Sequence, residues 1–391
     1  MDTQVVTAGA GGVALLIGLL LTEPLRRFAL RRGIADLPSA RKSHTRPTPY
    51  LGGVAVAVAT LAAGAVAARV VDAWDPALNV VLGGAGLMCV LGLVDDLRPL
   101  SPRLRLGIET TAAVVVVLAG GHPTVLGGPF DVVFAVVWIV FVTNAFNLLD
   151  NMDGAATSLC VVIGGCLCVT ALAAGSVGLG VTMAALAGSC LGFLYHNRHP
   201  ARIFLGDAGS LFLGFTLSST MVVVHDDVQG LSGPAGLLLV GLVPTVDTTL
   251  VMLSRYLESR PLMQGGTDHI AHRLRRLGMT VHQVVRSLNV LAVAGCVAAM
   301  LVAHGFLAPG TALDAACVVG VGAVLLLLGV PSGATLLPPV RPAAGGIGFT
   351  LRVGPGARAT RLRSLPGPLA VPQYPARKAA PLSPATGSPV V

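Results

Sequence analysis

Charge is what this sequence has least of. Only 11% of its 391 residues are Asp, Glu, Lys or Arg, against roughly 25% in an ordinary globular chain. Aromatic residues are scarce too, at 4%, and lysine occurs twice, as Lys42 and Lys378. So few charges cannot coat a soluble fold of this length, while hydrophobic residues reach 54% and mean hydropathy is +0.80. The seven cysteines form no Cys-x-x-Cys pair, so neither a zinc site nor a dithiol is signalled. Each lies in an apolar run and reads as a small packing residue. The composition excludes a soluble globular protein and implies an all-α, polytopic integral membrane protein.

What is present is a series of uncharged runs of bilayer length. They lie near 5–22, 52–71, 78–94, 106–119, 131–149, 157–174, 178–195, 208–224, 234–254, 287–304 and 312–330, which predicts about 11 transmembrane helices. Gly, Ala, Val and Leu dominate them, and small residues let helix backbones approach closely where lipid supplies no hydrophobic drive. The first run reads as an uncleaved anchor, with Arg26, Arg27, Arg31 and Arg32 behind it. The segments 23–50, 95–105, 196–207, 255–286 and 331–391 hold 25 of the 26 Lys and Arg residues, leaving Arg69 alone on the other side. By the positive-inside rule that face is cytoplasmic, with the N-terminus outside and the C-terminus cytoplasmic. The net charge of +8 is then a signature of topology, and no nucleic-acid partner is expected. Residues 1–330 form the transmembrane domain. Residues 331–391 carry twelve Pro, eight Gly and no acid, which reads as a disordered cytoplasmic tail in contact with membrane lipids.

Acids are costly near a bilayer and default to functional hypotheses. The pair Asp95-Asp96 closes the third run, where the partial negative charge of a helix C-terminus opposes two carboxylates. A cation or a proton donor would remove that conflict. Asn144, Asn147, Asp150 and Asp153 recur every three residues before Gly154. In a regular α-helix each such step turns about −60°, so neighbours converge and the ends drift apart; a 3₁₀ turn would eclipse them. Asp207, in Gly206-Asp207-Ala208-Gly209-Ser210, suits a helix N-cap and equally an anion or metal site. Asp247 lies inside the ninth run beside Pro244 and two threonines, where structure and function weigh equally. His269 and His272 stand three apart, followed by Arg273, Arg275 and Arg276. Without a further ligand at zinc spacing, they read as a phosphate or nucleotide-diphosphate contact or as a solvated loop. Arg41-Lys42-Ser43-His44 and the paired glycines Gly52-Gly53 suggest a held basic loop.

Taken together and in order, these motifs resemble the polyprenyl-phosphate N-acetylhexosamine-1-phosphate transferases (glycosyltransferase family 4). The resemblance covers about residues 5–330. It implies transfer of a sugar 1-phosphate from a UDP-N-acetylhexosamine to a polyprenyl phosphate, releasing UMP, at the cytoplasmic face of a bacterial plasma membrane, in cell-wall or surface-glycan synthesis. It implies Asp95, Asp96, Asp150 and Asp153 as catalytic residues, and Mg²⁺, or Mn²⁺ in its place, on Asp207 and Asp150. Substrate contacts fall to Lys42, His44, Asn144, Asn147, His269, His272 and Arg273. The family's His-x-His-His appears here as His269-Ile270-Ala271-His272, so the middle histidine is lost. This departure favours the UDP-GlcNAc branch over the one that uses UDP-MurNAc-pentapeptide. A homodimer is left open. A phosphomonoester is already largely a dianion at pH 7, so direct in-line attack is preferred to a covalent phospho-aspartate. Two rivals fit less well. An intramembrane aromatic prenyltransferase would need the third aspartate of D-D-x-x-D, and a transporter would show repeats and charges at mid-bilayer.

Overall fold

Each of the eleven apolar runs is helical. The computed structural model describes residues 2–36, 48–122, 124, 127–226, 228, 230–262 and 266–332. Lys42, His44 and the expected tail after 332 lie outside them. The helices are α1 (Thr3–Arg32), α2 (Gly52–Val70), α3 (Pro76–Leu97), α4 (Pro102–Gly120), α5 (Pro129–Leu149), α6 (Ala155–Ala173), α7 (Val177–Asn197) and α8 (Gly206–Val224). They continue with α9 (Ser232–Val240), α10 (Leu242–Leu257), the short α11 (Ile270–Arg276), α12 (Val281–Ala303) and α13 (Pro309–Leu328). A two-residue antiparallel pair, β1 (Ala35–Asp36) with β2 (Thr48–Pro49), closes the base of the first loop.

Among the described residues, nine helices are long and apolar enough to cross a bilayer. The two remaining runs differ from simple spans for identifiable reasons. The ninth is broken into α9 and α10, bent by 72°. Gly241 lies at the break and Pro244 in the first turn of α10, where a missing N–H costs no helical hydrogen bond. The fourth, α4, carries Arg103, Arg105 and Glu109 within its 19 residues.

Helix starts follow local chemistry. Asp75 accepts from the Leu78 N–H at 2.7 Å and Ser101 from the Leu104 N–H at 3.3 Å, each with a proline as the next residue. Thr280 and Gln283 make a reciprocal capping box at α12.

The centre of the bundle is α8, packed by α2, α3, α4, α5, α6 and α9 and buried from Ala208 to Val224. Two of its hydroxyls turn back onto the helix: Thr216 donates to the Phe212 carbonyl at 2.6 Å and Ser218 to that of Gly214 at 2.8 Å. Two close approaches pin its first turn. A Cβ on Gly53 of α2 would lie 2.1 Å from the Gly209 nitrogen, and one on Gly92 of α3 would lie 2.2 Å from the Asp207 carbonyl oxygen. The Gly52 and Gly53 N–H groups also donate to the Phe204 and Leu205 carbonyls, at 3.1 and 2.8 Å. A separate apolar cluster joins Leu149, at the end of α5, to Val246 and Leu250 of α10 and to Ile270 and Ala271 of α11.

Candidate active site

Four chain segments meet where α3 and α5 end and where α4 and α8 begin. Their common partner is Arg105, one turn into α4. Its NH1 lies 3.1 Å from Asp95 Oδ2 and 3.6 Å from Asp207 Oδ2. Its NH2 donates to Asn144 Oδ1 at 3.1 Å and to Asn147 Oδ1 at 3.4 Å, and its Nε lies 3.3 Å from Glu109 Oε1. Three carboxylates surround one guanidinium, so the cluster keeps an excess of negative charge.

The conflict of paired acids at a helix C-terminus is resolved by dividing them. Asp95 pairs with Arg105, and its other oxygen accepts from the Leu100 N–H at 2.7 Å. Asp96 accepts from the backbone N–H groups of Asp207 and Ala208, each at 3.0 Å. It thereby supplies the negative charge that the N-terminus of α8 favours. Gly206, at φ +73°, makes that approach sterically open, since a Cβ there would stand 2.7 Å from Asp96 Oδ2.

The Asn/Asp run behaves as an α-helix that stops. Asn144 and Asn147, still on α5, both face Arg105. Asn147 Nδ2 also donates to Asp207 Oδ1 at 2.8 Å and to Ser210 Oγ at 2.9 Å. Past the helix end, Asp150 sits among Asp207, Asp96 and Asp153; burial, together with those charges, pushes its carboxyl well above the usual range. Asp153 has rotated away from Arg105. It accepts from His199 Nδ1 at 2.7 Å and from the Ala201 N–H at 3.1 Å, so it holds the connection between α7 and α8. Asn197 fixes the same corner, accepting from the Gly154 N–H at 3.1 Å and the Thr157 hydroxyl at 3.0 Å.

The histidine segment is built on Asp247. One of its oxygens meets His269 Nδ1 at 2.8 Å and the other accepts from the Ile270 N–H at 2.7 Å, which caps α11 and fixes the His269 ring. The His272 ring lies 6.2 Å from that of His269. Burial, with His269 and Arg276 nearby, lowers the His272 pKa to about 4, so it is neutral at pH 7. The expected substrate contact Arg273 is instead turned inward and 1% exposed. It donates to the carbonyls of Asp268 at 2.9 Å, Leu327 at 2.7 Å and Val330, and to Ser254 Oγ at 2.6 Å. Carbonyls at the end of α13 lack intrahelical partners, and this guanidinium supplies them. Buried Asp268 is held in turn by Arg255 at 3.1 Å and by Arg260.

Two residues of the cluster escape the sequence reading. Arg105 counts there as one of the basic residues that set topology, and Glu109 falls silently inside the fourth run. The signal was present: an acid within an apolar run, four residues after an arginine, is the kind of intramembrane charge that asks for a partner.

The donor set at the α8 end is all oxygen, and the Asp207 side chain is 36% exposed against 12% for Asp95. No three described His, Cys, Asp or Glu side chains are grouped to hold an ion by themselves. This fits Mg²⁺, which binds through one or two carboxylates and completes its shell with water and substrate phosphates. The Arg105 guanidinium between Asp95 and Asp207 marks where positive charge is accommodated.

Residues 78–225 match the sequence profile of glycosyl transferase family 4. The chain is 38% identical to a Streptomyces coelicolor protein whose name says no more than glycosyltransferase, over 88% of this chain and 81% of that one. It is 33% identical to a Bacillus subtilis protein named as a probable undecaprenyl-phosphate N-acetylglucosaminyl 1-phosphate transferase, over 68% of this chain and 77% of the other. It is 30% identical to the decaprenyl-phosphate N-acetylglucosaminephosphotransferase of Mycolicibacterium smegmatis, over 87% and 94%.

Proposed function

The chain belongs to glycosyl transferase family 4, and from that premise we propose that it transfers GlcNAc 1-phosphate from UDP-GlcNAc to a polyprenyl phosphate, releasing UMP. The observation that carries this reading is the convergence of Asp95, Asn147 and Asp207 on Arg105 at one end of an apolar bundle. Such a site can take two phosphates at the level where a membrane meets water. The basic segments share that end, which supports a cytoplasmic orientation in a bacterial plasma membrane.

An open apolar groove of about 240 Å³ runs between α4 and α5, lined by Leu106, Thr110, Val136, Val137, Val140 and Phe141. It begins one residue from Arg105 and one turn from Asn144, so an isoprenoid chain lying in it presents its phosphate to the cluster. A phosphate oxygen of the lipid attacks the phosphorus that bears the sugar. The bond from that phosphorus to the bridging oxygen breaks, and UMP departs with the electron pair. Because the lipid phosphate is already largely a dianion, no side chain must remove a proton. Arg105, oriented by the Asn144 and Asn147 amide oxygens that accept from it, offsets developing charge, which is the main task in phosphoryl transfer. Asp207, with Asp150 beside it, would hold Mg²⁺, which when bound would supply Lewis-acid chemistry to the pyrophosphate. Asp96 holds the first turn of α8, and with it Asp207, in place.

The test is a membrane assay with radiolabelled UDP-sugars and added polyprenyl phosphate, following UMP release and label entering the organic extract. UDP-GlcNAc should give both together. UMP release without lipid-extractable label, or label trapped on the protein when the acceptor is withheld, would overturn the transfer reaction or its single-step form respectively.

A further inference from the structure

Glu109 has no access to any substrate: it is 0% exposed, one turn beyond Arg105 along α4. A carboxylate enclosed in an apolar bundle is costly, and a buried ion pair is weak evidence for stability in itself. Nor does local helix chemistry account for it. Arg105 precedes Glu109 by four positions, and at that spacing the acid-first order is the favourable one. What the carboxylate does is visible in its two contacts. Oε2 accepts from Asn144 Nδ2, and Oε1 faces the Nε edge of Arg105 at 3.3 Å. The guanidinium thus has a negative charge behind it, in an ion pair without a hydrogen bond, while NH1 and NH2 point to Asp95, Asp207, Asn144 and Asn147. The same carboxylate turns the Asn144 amide so that its oxygen, not its nitrogen, meets NH2.

We propose that Glu109 is a positioning residue for the transfer reaction, holding Arg105 edge-on and fixing the Asn144 amide so that the donors facing the cleft keep one arrangement. The inference rests on the proposed function only in taking the Arg105 cluster as the place of reaction. Without Glu109, Arg105 keeps its contacts to Asp95, Asp207 and the asparagine oxygens but loses the one carboxylate at its Nε edge, and Asn144 Nδ2 loses its carboxylate acceptor. A small loss of alignment at a reacting centre costs rate steeply.

The experiment compares full-length wild type, Glu109→Gln, Glu109→Asp, Arg105→Gln and the Arg105→Gln/Glu109→Gln pair, purified in detergent and supplied with UDP-GlcNAc and polyprenyl phosphate. Glu109→Gln should keep a wild-type elution profile and lose about ten-fold or more in kcat, with the KM for UDP-GlcNAc changed by less than about three-fold. Glu109→Asp should recover part of the loss. In the Arg105→Gln background, Glu109→Gln should cost less than about two-fold further, because the residue it acts through is already gone. Wild-type kcat in Glu109→Gln, or penalties that multiply in the double variant, would overturn the proposal. If Glu109→Gln does not fold, the paired variant removes both charges of the ion pair together, and its kcat against that of Arg105→Gln decides the same question. Wild-type turnover judges the proposed reaction, and the ratios among variants judge Glu109.

Discussion

Asp96 and Asp207 are 111 residues apart in sequence, yet the carboxylate of the first accepts the backbone N–H of the second at 3.0 Å. A helix C-terminus and a helix N-terminus, α3 and α8, are therefore joined through one side chain. The negative charge that is misplaced at the end of α3 is well placed at the start of α8. Two neighbouring aspartates have different duties as a result: Asp95 faces Arg105 in the cleft, and Asp96 faces backbone.

That division predicts opposite phenotypes for two similar substitutions. Asp96→Asn replaces two charge-assisted hydrogen bonds by at most weaker ones and should cost about 1.5–3 kcal/mol, read as a lowered apparent Tm in detergent. Asp207→Asn leaves that cap intact and should abolish UMP release while keeping the wild-type Tm. An Asp96→Asn protein as heat-stable as wild type would show that the capping interaction contributes nothing.

Metal removal should separate binding chemistry from folding. The described carboxylates form no closed cage of their own, so a chelator should stop turnover without lowering the apparent Tm. Added Mg²⁺ should restore UMP release and Mn²⁺ should substitute for it, both being served by oxygen ligands. Undiminished UMP formation in excess EDTA would remove the metal from the reaction.

His272 makes stability depend on pH in a defined window. Its pKa is about 4 in the fold, against roughly 6.5 in an unfolded chain. Between those values the unfolded state binds the extra proton, so this group's contribution to stability rises as pH rises from 4 to 6.5 and is lost on acidification. The apparent Tm of wild type should fall on going from pH 7 to pH 5 by more than that of His272→Asn. Parallel curves for the two proteins would mean that the imidazole is not held neutral.

The sequence carries the helical runs and the set of polar motifs because both depend on local chemistry: bilayer-length apolar stretches, and acids or amides where lipid should forbid them. It does not carry the division of labour between Asp95 and Asp96, because that depends on which helix terminus each one meets in space. Arg273 shows the same limit. Three arginines after a histidine pair suggest an anion site, yet this one is drawn inward by carbonyls at the end of α13, some 54 residues away. Arg105 and Glu109 are hidden for a different reason. A charge at the edge of an apolar run reads as topology until a partner on another helix is known, and here the partners are Asn144 and Asn147 of α5.

The placement of Asp207 depends finally on how closely α2 approaches α8, and this can be tested with one methyl group. A Cβ on Gly53 would stand 2.1 Å from the Gly209 nitrogen and 2.2 Å from its Cα. Those are backbone atoms, which cannot swing aside as a side chain would, so α2 must shift. Gly53→Ala should therefore cost about 1–3 kcal/mol, as overpacking does, and should reduce UMP release because the first turn of α8 moves with the contact. Gly83→Ala is the matched control. It lies in α3 with nothing within 4 Å of the added Cβ, and alanine is the better helix former by about 1 kcal/mol. Gly83→Ala should leave turnover unchanged and the apparent Tm equal or higher. If Gly53→Ala behaves the same way, the α2–α8 contact is looser than described, and the seating of Asp207 does not depend on it.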